Sequence, residues 1–464
     1  MELVLGTGRN KVSTDFSSMT TGQDTDDDPL GASLSTLFRG YGADNRQAAV
    51  SKLSRSSAMR HLPQSFANPG KLTAIAMLYL GVGTCAMRMT VGKAFAFDGA
   101  SPITFDAGPL GPLQISGGMT GYTYALSGTG DAARPGLLGT DRSFGDEFLN
   151  GLIRLRKSDG LIQFTVQMGS TTSLTLGTEP SRSSVQTLST GPLYAGSLII
   201  APTSNFKISA GLVGSVEGYE STLDWNNTDL LTTDIFYVQN SKSVGVTATY
   251  KIGAITVKAI FGDGFDTGVW NFAQALVTYT LNSDNSLNIY GASNLGRTNP
   301  GAHFYGSASL PYSRSFVGSG PTSAAALVNS NMIGAYYSFT KGNLTLVPEV
   351  QYVYAKIDHK IGLDKASGNL GAALFADYKF GKSPWSIGAW AECFSSNGPD
   401  LWFINPRSKG VGLSISPTWQ RKYLFVRASL GVLRLIDIGD GIGYGSKGSG
   451  RDQATAALGA GFLF

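Results

Sequence analysis

Apolar and polar residues alternate with a period of two along most of the chain from Leu113 to Phe464. Successive side chains of a β-strand point to opposite faces of the sheet, so this period predicts strands rather than helices. Many of the alternating segments run for about 10 to 13 residues, longer than the strand of about 5 to 6 residues usual in soluble proteins. A soluble β-sandwich shows the same period, but the length favours tilted strands that cross a bilayer.

The connections between these segments alternate between short and long. Seven short ones carry the Gly, Asn, Asp, Pro and Lys residues of tight hairpin turns, at 158–159, 202–205, 252–253, 282–285, 341–342, 381–383 and 420–421. Together with an opening strand at 113–126 and a closing strand at 452–464, they predict about sixteen strands. The others are expected at 147–157, 160–169, 191–201, 206–213, 242–251, 254–262, 270–281, 286–296, 330–340, 343–357, 368–380, 384–395, 408–419 and 422–436.

The amount of charge separates a membrane barrel from a soluble protein. Only 15% of the residues are charged, against roughly 25% in a typical soluble domain, and the mean hydropathy of +0.01 shows no excess of apolar residues. A barrel in a bilayer needs this balance, because one face of each strand meets lipid and the other meets water. The predicted fold is therefore all-β, an antiparallel transmembrane up-and-down β-barrel with short periplasmic turns and long extracellular loops.

One long apolar run, Leu72 to Met87, spans 16 residues and follows Lys71. It is shorter than the roughly 20 residues of a spanning helix, and the small residues Ala94 and Ala96 follow it. A basic residue, an apolar core and an A-x-A site predict a secretory signal peptide in 59–96, cleaved after Ala96. A retained membrane anchor is the alternative.

Residues 1–58 are rich in Ser, Thr, Asp and Gly and have neither a strand period nor a helix period. Because a signal peptide stands at the N-terminus of a precursor, we interpret them as a disordered extension or as a segment upstream of a translation start at Met59. Residues 97–464 would then form the mature barrel.

The last strand resembles a targeting element of bacterial outer-membrane proteins. From Leu458 to Phe464 an apolar residue stands at every second position back from a C-terminal Phe. This run resembles the signal that the barrel-assembly machinery recognises, with Phe462 and Phe464 as its aromatic positions.

Five segments carry a second resemblance: Gly218 to Thr222 (GYEST), Trp225 to Asn227 (WNN), Val244 to Tyr250 (VGVTATY), Gly262 to Asp266 (GDGFD) and the opening strand Ile115 to Tyr122. Together they resemble the OmpL-like β-barrel porins. Asp263 and Phe265 replace the Asn and Trp usual in that family. The resemblance implies a diffusion channel in the bacterial outer membrane, with outer-membrane lipid, the assembly machinery and small polar solutes as partners and no cofactor. It identifies no solute and leaves a monomer and a homotrimer open.

In a porin, lumen-facing charges and an inward-folded loop set the selectivity. If the more apolar face of each strand meets lipid, the other face carries the predicted pore-lining residues Arg154, Arg156, Lys258, Arg427, Glu349, Asp377 and Glu392. Opposed charges of this kind would favour polar over apolar solutes. The alternative is that they are ordinary solvated side chains of a wet lumen.

The third long loop, 214–241, is predicted to narrow the bore, by analogy with sixteen-stranded porins. Its acidic and aromatic constriction residues would be Glu217, Glu220, Asp224, Trp225, Asp229 and Asp234. The alternative is an ordinary surface loop.

Other classes of function have little support in the sequence. The net charge of +4 is small and no basic run is present, which argues against nucleic acid as a partner. Cys85 and Cys393 lack the spacing of metal ligands. A hydrolase would have to use His303 beside Ser307 and Ser309. Two hypotheses remain, a porin for small polar solutes and a structural or adhesive barrel with a blocked lumen and ligand-binding loops.

Overall fold

The computed structural model describes residues 101–464 except 181, 184–190, 241, 266, 299–323 and 402. The predicted extension 1–58 and the signal region 59–96, with its cleavage positions Ala94 and Ala96, lie outside these residues. His303, Ser307 and Ser309 lie outside them as well.

Within the described residues the chain forms nineteen strands, numbered here in chain order. They are β1 (Ile103–Asp106), β2 (Pro112–Leu126), β3 (Phe144–Lys157), β4 (Ile162–Thr171), β5 (Leu174–Thr175), β6 (Leu193–Ile200), β7 (Phe206–Gly214), β8 (Leu231–Thr232), β9 (Lys242–Ile252), β10 (Ile255–Asp263), β11 (Trp270–Asn282), β12 (Asn285–Asn294), β13 (Asn331–Lys341), β14 (Leu344–Ala355), β15 (Ser367–Lys379), β16 (Trp385–Asn397), β17 (Lys409–Arg421), β18 (Leu424–Asp437) and β19 (Asp452–Leu463). Sixteen of them, all except the short β1, β5 and β8, form one closed antiparallel barrel. The predicted fold class is confirmed.

Each barrel strand pairs with the next one along the chain, and β19 closes the barrel against β2. This pairing ends with Leu463 opposite Gly118. The N–H of Phe464 then donates to the Gly117 carbonyl at 2.9 Å, and the Gly117 N–H donates to the Phe464 carbonyl at 2.8 Å. β1 pairs with the first residues of β2. It lies on the same edge of β2 as β19, because β3 pairs with the other edge. Two segments far apart in sequence therefore complete one seam.

Side-chain exposure alternates along the strands. Outward side chains such as Ile333 and Leu458 are large, apolar and exposed, as a lipid-facing surface requires. Inward side chains are mostly polar or small. Trp385 and Tyr423 are exposed beside short turns, where aromatic residues of outer-membrane barrels meet the lipid interface. The two faces of each strand thus meet different solvents.

Helices in the described residues are short. They are Asp234–Tyr237 and Ala324–Val328, with 3-10 turns at Gly108–Leu110, Asp224–Asn226 and His359–Ile361. No helix in the described part of the chain is long and apolar enough to cross a membrane.

The main buried core lies inside the barrel, between its wall and a loop that enters the lumen. β5 and β8 pair in parallel there, with Leu174 opposite Leu231. These leucines pack with Ile235 against Phe375 and Trp390 of the wall. Because burial removes these apolar side chains from water, it stabilises the loop inside the barrel.

Candidate functional site

Residues 215–240, between β7 and β9, fold into the barrel, and we call them the constriction loop. Val216, Leu223, Leu230 and Val238 are all buried. A loop lying on the outer surface would leave such side chains in water. The loop instead contacts the inner wall along most of its length.

The tip of the constriction loop crosses the lumen to β2, β3 and β18. The Asp224 carboxylate accepts hydrogen bonds from Thr120 Oγ1 at 3.1 Å and Asn150 Nδ2 at 2.9 Å. Arg427 Nη1 donates to the main-chain carbonyl of Asp224 at 2.9 Å. The tip is therefore attached to strands that are distant from both ends of the loop.

Two residues that follow the tip in sequence also contact the barrel wall. Trp225 packs against Phe425 and Leu463, next to the β19–β2 seam. Asp229 accepts a hydrogen bond of 2.7 Å from the Ser429 hydroxyl. Both contacts hold this part of the loop on the β18 side of the lumen.

The returning limb of the loop lies on β16. Trp390 Nε1 donates to the Leu231 carbonyl at 2.8 Å. The main-chain N–H of Asp234 donates to Glu392 Oε2 at 2.8 Å. Within the described residues the Asp234 carboxylate itself has no hydrogen-bond partner.

Two glutamates join the limbs of the loop to each other. Glu217 Oε2 accepts a hydrogen bond of 2.7 Å from the Asn240 N–H. Glu220 accepts from the Thr233 N–H at 3.2 Å and from the Thr233 hydroxyl. These carboxylates therefore stabilise the folded shape of the loop.

Two glycines of the wall allow the loop to approach closely. A Cβ at Gly388 on β16 would collide with the carbonyl of Thr228, and a Cβ at Gly371 on β15 would collide with the Ile235 side chain. A larger residue at either position would force the loop away from the wall.

Burial favours the neutral forms of the loop carboxyls. It raises the pKa of Glu217 to about 8, well above the roughly 4.3 of a free glutamate. Burial also raises the pKa of Asp234 well above its ordinary value, and the charges of Glu392 and Glu220 add to that shift. The pKa of Asp224 is raised by burial too, although hydrogen bonds and the Arg427 charge oppose the shift.

The seven predicted pore-lining residues fall into two groups. The first group is buried where the constriction loop covers the wall, at 0% exposure for Arg427, 4% for Glu349, 6% for Asp377 and 5% for Glu392. The second group, Arg154, Arg156 and Lys258, is partly or fully exposed. We call the lumen-facing side chains of β14 to β18 the covered wall.

On the other side of the loop lies what we call the open wall. It consists of lumen-facing side chains of β3, β4, β6, β7, β9 and β10 near the short turns, all of them partly or fully exposed: Arg154, Arg156, Thr165, Gln167, Ser197, Lys207, Ser209, Thr249, Lys251, Thr256 and Lys258. These side chains are polar or charged, while Ile199 on β6, which lies opposite Ser209, is a partly exposed apolar side chain on the same face.

Sequence reasoning missed Lys207 and Lys251 of the open wall and the side chains that hold the loop. Lys207 has the same parity as Ser209 on β7, so the strand pattern alone contained the signal. Thr120 and Ser429 had no such signal, because their contacts to Asp224 and Asp229 join residues 104 and 200 positions apart.

The sequence matches a family model described as "Putative beta-barrel porin-2, OmpL-like" over residues 112–464. No curated protein matches the sequence of this chain. Outer-membrane expressed OmpT of Vibrio cholerae is 13% identical with a TM-score of 0.50, and the match covers 78% of this chain and 100% of that one. A trimer form of in-vitro folded Vibrio cholerae OmpT is 12% identical (TM-score 0.47; 76% and 99% covered). An anion-selective porin from Comamonas acidovorans is 11% identical (TM-score 0.49; 76% and 99% covered).

Proposed function

The chain belongs to the OmpL-like β-barrel porin family, and on that premise we propose that its barrel is a water-filled outer-membrane channel for passive diffusion of small polar solutes. The difference between the two walls of the lumen carries the proposal. Side chains of the covered wall, such as Phe375 and Ser414, are 1% and 0% exposed. Those of the open wall are polar and reach water. This contrast supports a lumen that the constriction loop narrows on one side and leaves wet on the other.

The polar, exposed open wall does not favour the alternative of a blocked adhesive barrel. A blocked lumen would bury inward side chains around the whole barrel, whereas Thr165, Ser209 and Thr249 stay partly exposed. Family and fold are those of a channel, and we propose that the protein catalyses no reaction.

Three further parts of the proposal concern biogenesis and assembly. Residues 59–96 would direct export and be cleaved after Ala96. Phe462 and Phe464 would form the signal for the barrel-assembly machinery, and three barrels would associate into a homotrimer. N-terminal sequencing of the outer-membrane protein tests the first part, because cleavage predicts a mature chain that begins at Phe97.

Liposome swelling tests the channel itself. The full-length protein, expressed and purified from outer membranes, would be reconstituted into liposomes and exposed to uncharged sugars of increasing size. We expect swelling that slows as the sugar becomes larger, because a narrowed water-filled lumen sieves by size. An absence of permeation at every size would support the blocked barrel instead.

A further inference from the structure

The charges of the open wall all have one sign. Arg154 and Arg156 on β3, Lys207 on β7, Lys251 on β9 and Lys258 on β10 face the lumen and are partly or fully exposed. Near the short turns, these strands carry no lumen-facing Asp or Glu. A solute that passes the open wall therefore meets cations and neutral polar groups.

Strand register brings these cations to neighbouring positions. Lys258 lies opposite Thr249, and Thr249 in turn lies opposite Lys207, so that two lysines flank one threonine across three adjacent strands. Arg154 and Arg156 are successive inward side chains of a single strand. The result is two basic groups on the open wall rather than scattered single charges.

These cations are not neutralised by neighbouring carboxylates. Among the described residues, Arg154, Arg156, Lys207 and Lys258 form no ion pair, and the guanidinium of Arg154 donates only to the Ser116 hydroxyl at 3.1 Å. Lys157, one residue beyond Arg156, does pair with Asp159 at 2.9 Å.

The acidic residues of the constriction loop are buried or hydrogen-bonded. Asp224, Asp229 and Asp234 are buried, with Asp224 bonded to Asn150 on β3 and Asp229 bonded to Ser429 on β18. Glu220 is partly exposed, but its oxygens accept hydrogen bonds from Thr233. Burial raises the pKa of Asp224 and of Asp234 above the ordinary value of an aspartate.

A passage lined by positively charged side chains concentrates anions and repels cations. Rings of Arg and Lys are the usual basis of anion and phosphate pores. We propose that this channel selects for small anionic solutes, and that Arg154, Arg156, Lys207 and Lys258 are the residues that select them. Carboxylates and phosphates share the required oxyanion chemistry. The inference rests on the proposed channel function and names its solute class.

Reversal potentials across planar bilayers test the inference. The full-length protein would be inserted between KCl solutions of different concentration, and the chloride-to-potassium permeability ratio would be measured. We expect a ratio on the order of 10. A combined R154Q, R156Q, K207Q and K258Q variant should bring the ratio close to one, and K258E with K207E should invert it. The conservative K258R variant should keep the ratio.

A matched control is Lys360→Gln, since Lys360 is exposed on the turn His359–Ile361, outside the barrel strands. It should leave the ratio unchanged. Because only a folded barrel conducts, every variant that opens channels reports on selectivity. If the combined variant does not fold, the permeability ratio is measured on the four single variants instead.

The possible failures are distinct. A wild-type protein that opens no channel contradicts the proposed function itself. Channels that open with a ratio at or below one contradict the anion inference and leave the channel function standing. A high ratio that the four substitutions do not change shows that other residues select the anion. Acetate and phosphate, each replacing chloride, should both carry current, and exclusion of both would overturn the solute class.

Discussion

Arg427 holds Asp224 of the constriction loop by its main-chain carbonyl. The Arg427 guanidinium donates to the Asp224 carbonyl at 2.9 Å, while the Asp224 carboxylate accepts from Thr120 and Asn150. One residue of the loop tip thus joins three strands of the wall. This arrangement makes the loop tip sensitive to single substitutions on the strands that hold it.

Replacing Arg427 by Met should release the loop tip. A hydrogen bond to a charged group contributes about 1.5 to 3 kcal/mol, and its loss would let the tip leave the wall more often. We expect single-channel recordings with larger or more variable conductance than the wild type. Arg434→Met is the control, because Arg434 lies on the same strand but pairs with Asp452 away from the loop. Identical recordings from both variants would exclude the role of Arg427.

Deleting residues 219–234 should widen the passage, because these residues bring most of the loop into the lumen. Single-channel conductance should rise and larger sugars should enter liposomes. Shortening the connection between β14 and β15 around the exposed turn His359–Ile361 is the matched control and should change neither quantity. Unchanged conductance after the first deletion would remove the loop from the mechanism.

Gly388→Ala should push the constriction loop away from β16. The new Cβ would collide with the Thr228 carbonyl, a main-chain atom that can move only with the loop. We expect altered conductance together with faster proteolysis of the loop. Gly214→Ala serves as the comparison, since a Cβ there has no atom within 4 Å. Equal behaviour of the two variants would contradict the close approach at Gly388.

Raising the pH should loosen the constriction loop. The pKa of Glu217 is about 8 in the folded loop and about 4.3 when the residue is free, so the folded loop favours the protonated form. The stabilisation of the folded loop by this preference is complete below the pKa of the free residue. It is lost as the pH rises through the pKa of about 8 in the folded loop. We therefore expect noisier and larger conductance at pH 9 than at pH 7.

Glu217→Gln keeps the shape of the side chain and cannot ionise, so it should reduce the change in conductance between pH 7 and pH 9. Asp364→Asn removes an exposed carboxylate beside His359 and should leave this pH-dependent change in conductance as it is in the wild type. A pH response of the same size in both variants would assign the titration to another group of the loop, such as Asp234 or Glu220, whose pKa values are also raised.

All sixteen barrel strands could be predicted from the sequence, because each rests on a local pattern of period two and on turn residues beside it. The closing strand β19 pairs with β2, the opening strand predicted at 113–126. Within the candidate site, the analogy with sixteen-stranded porins indicates the third long loop as the constriction, and that role stays a prediction. The sequence did not predict what that loop would contact.

By itself the sequence determined the barrel and its strand number, since these depend on neighbours along the chain. Tertiary structure alone decided which inward side chains meet water. Arg427 and Arg154 are equivalent in the strand pattern, yet Arg427 is completely buried and Arg154 is not. The reason is physical, because the constriction loop covers its wall through contacts between residues far apart in sequence, such as the 203 positions between Asp224 and Arg427, and no local pattern encodes such contacts.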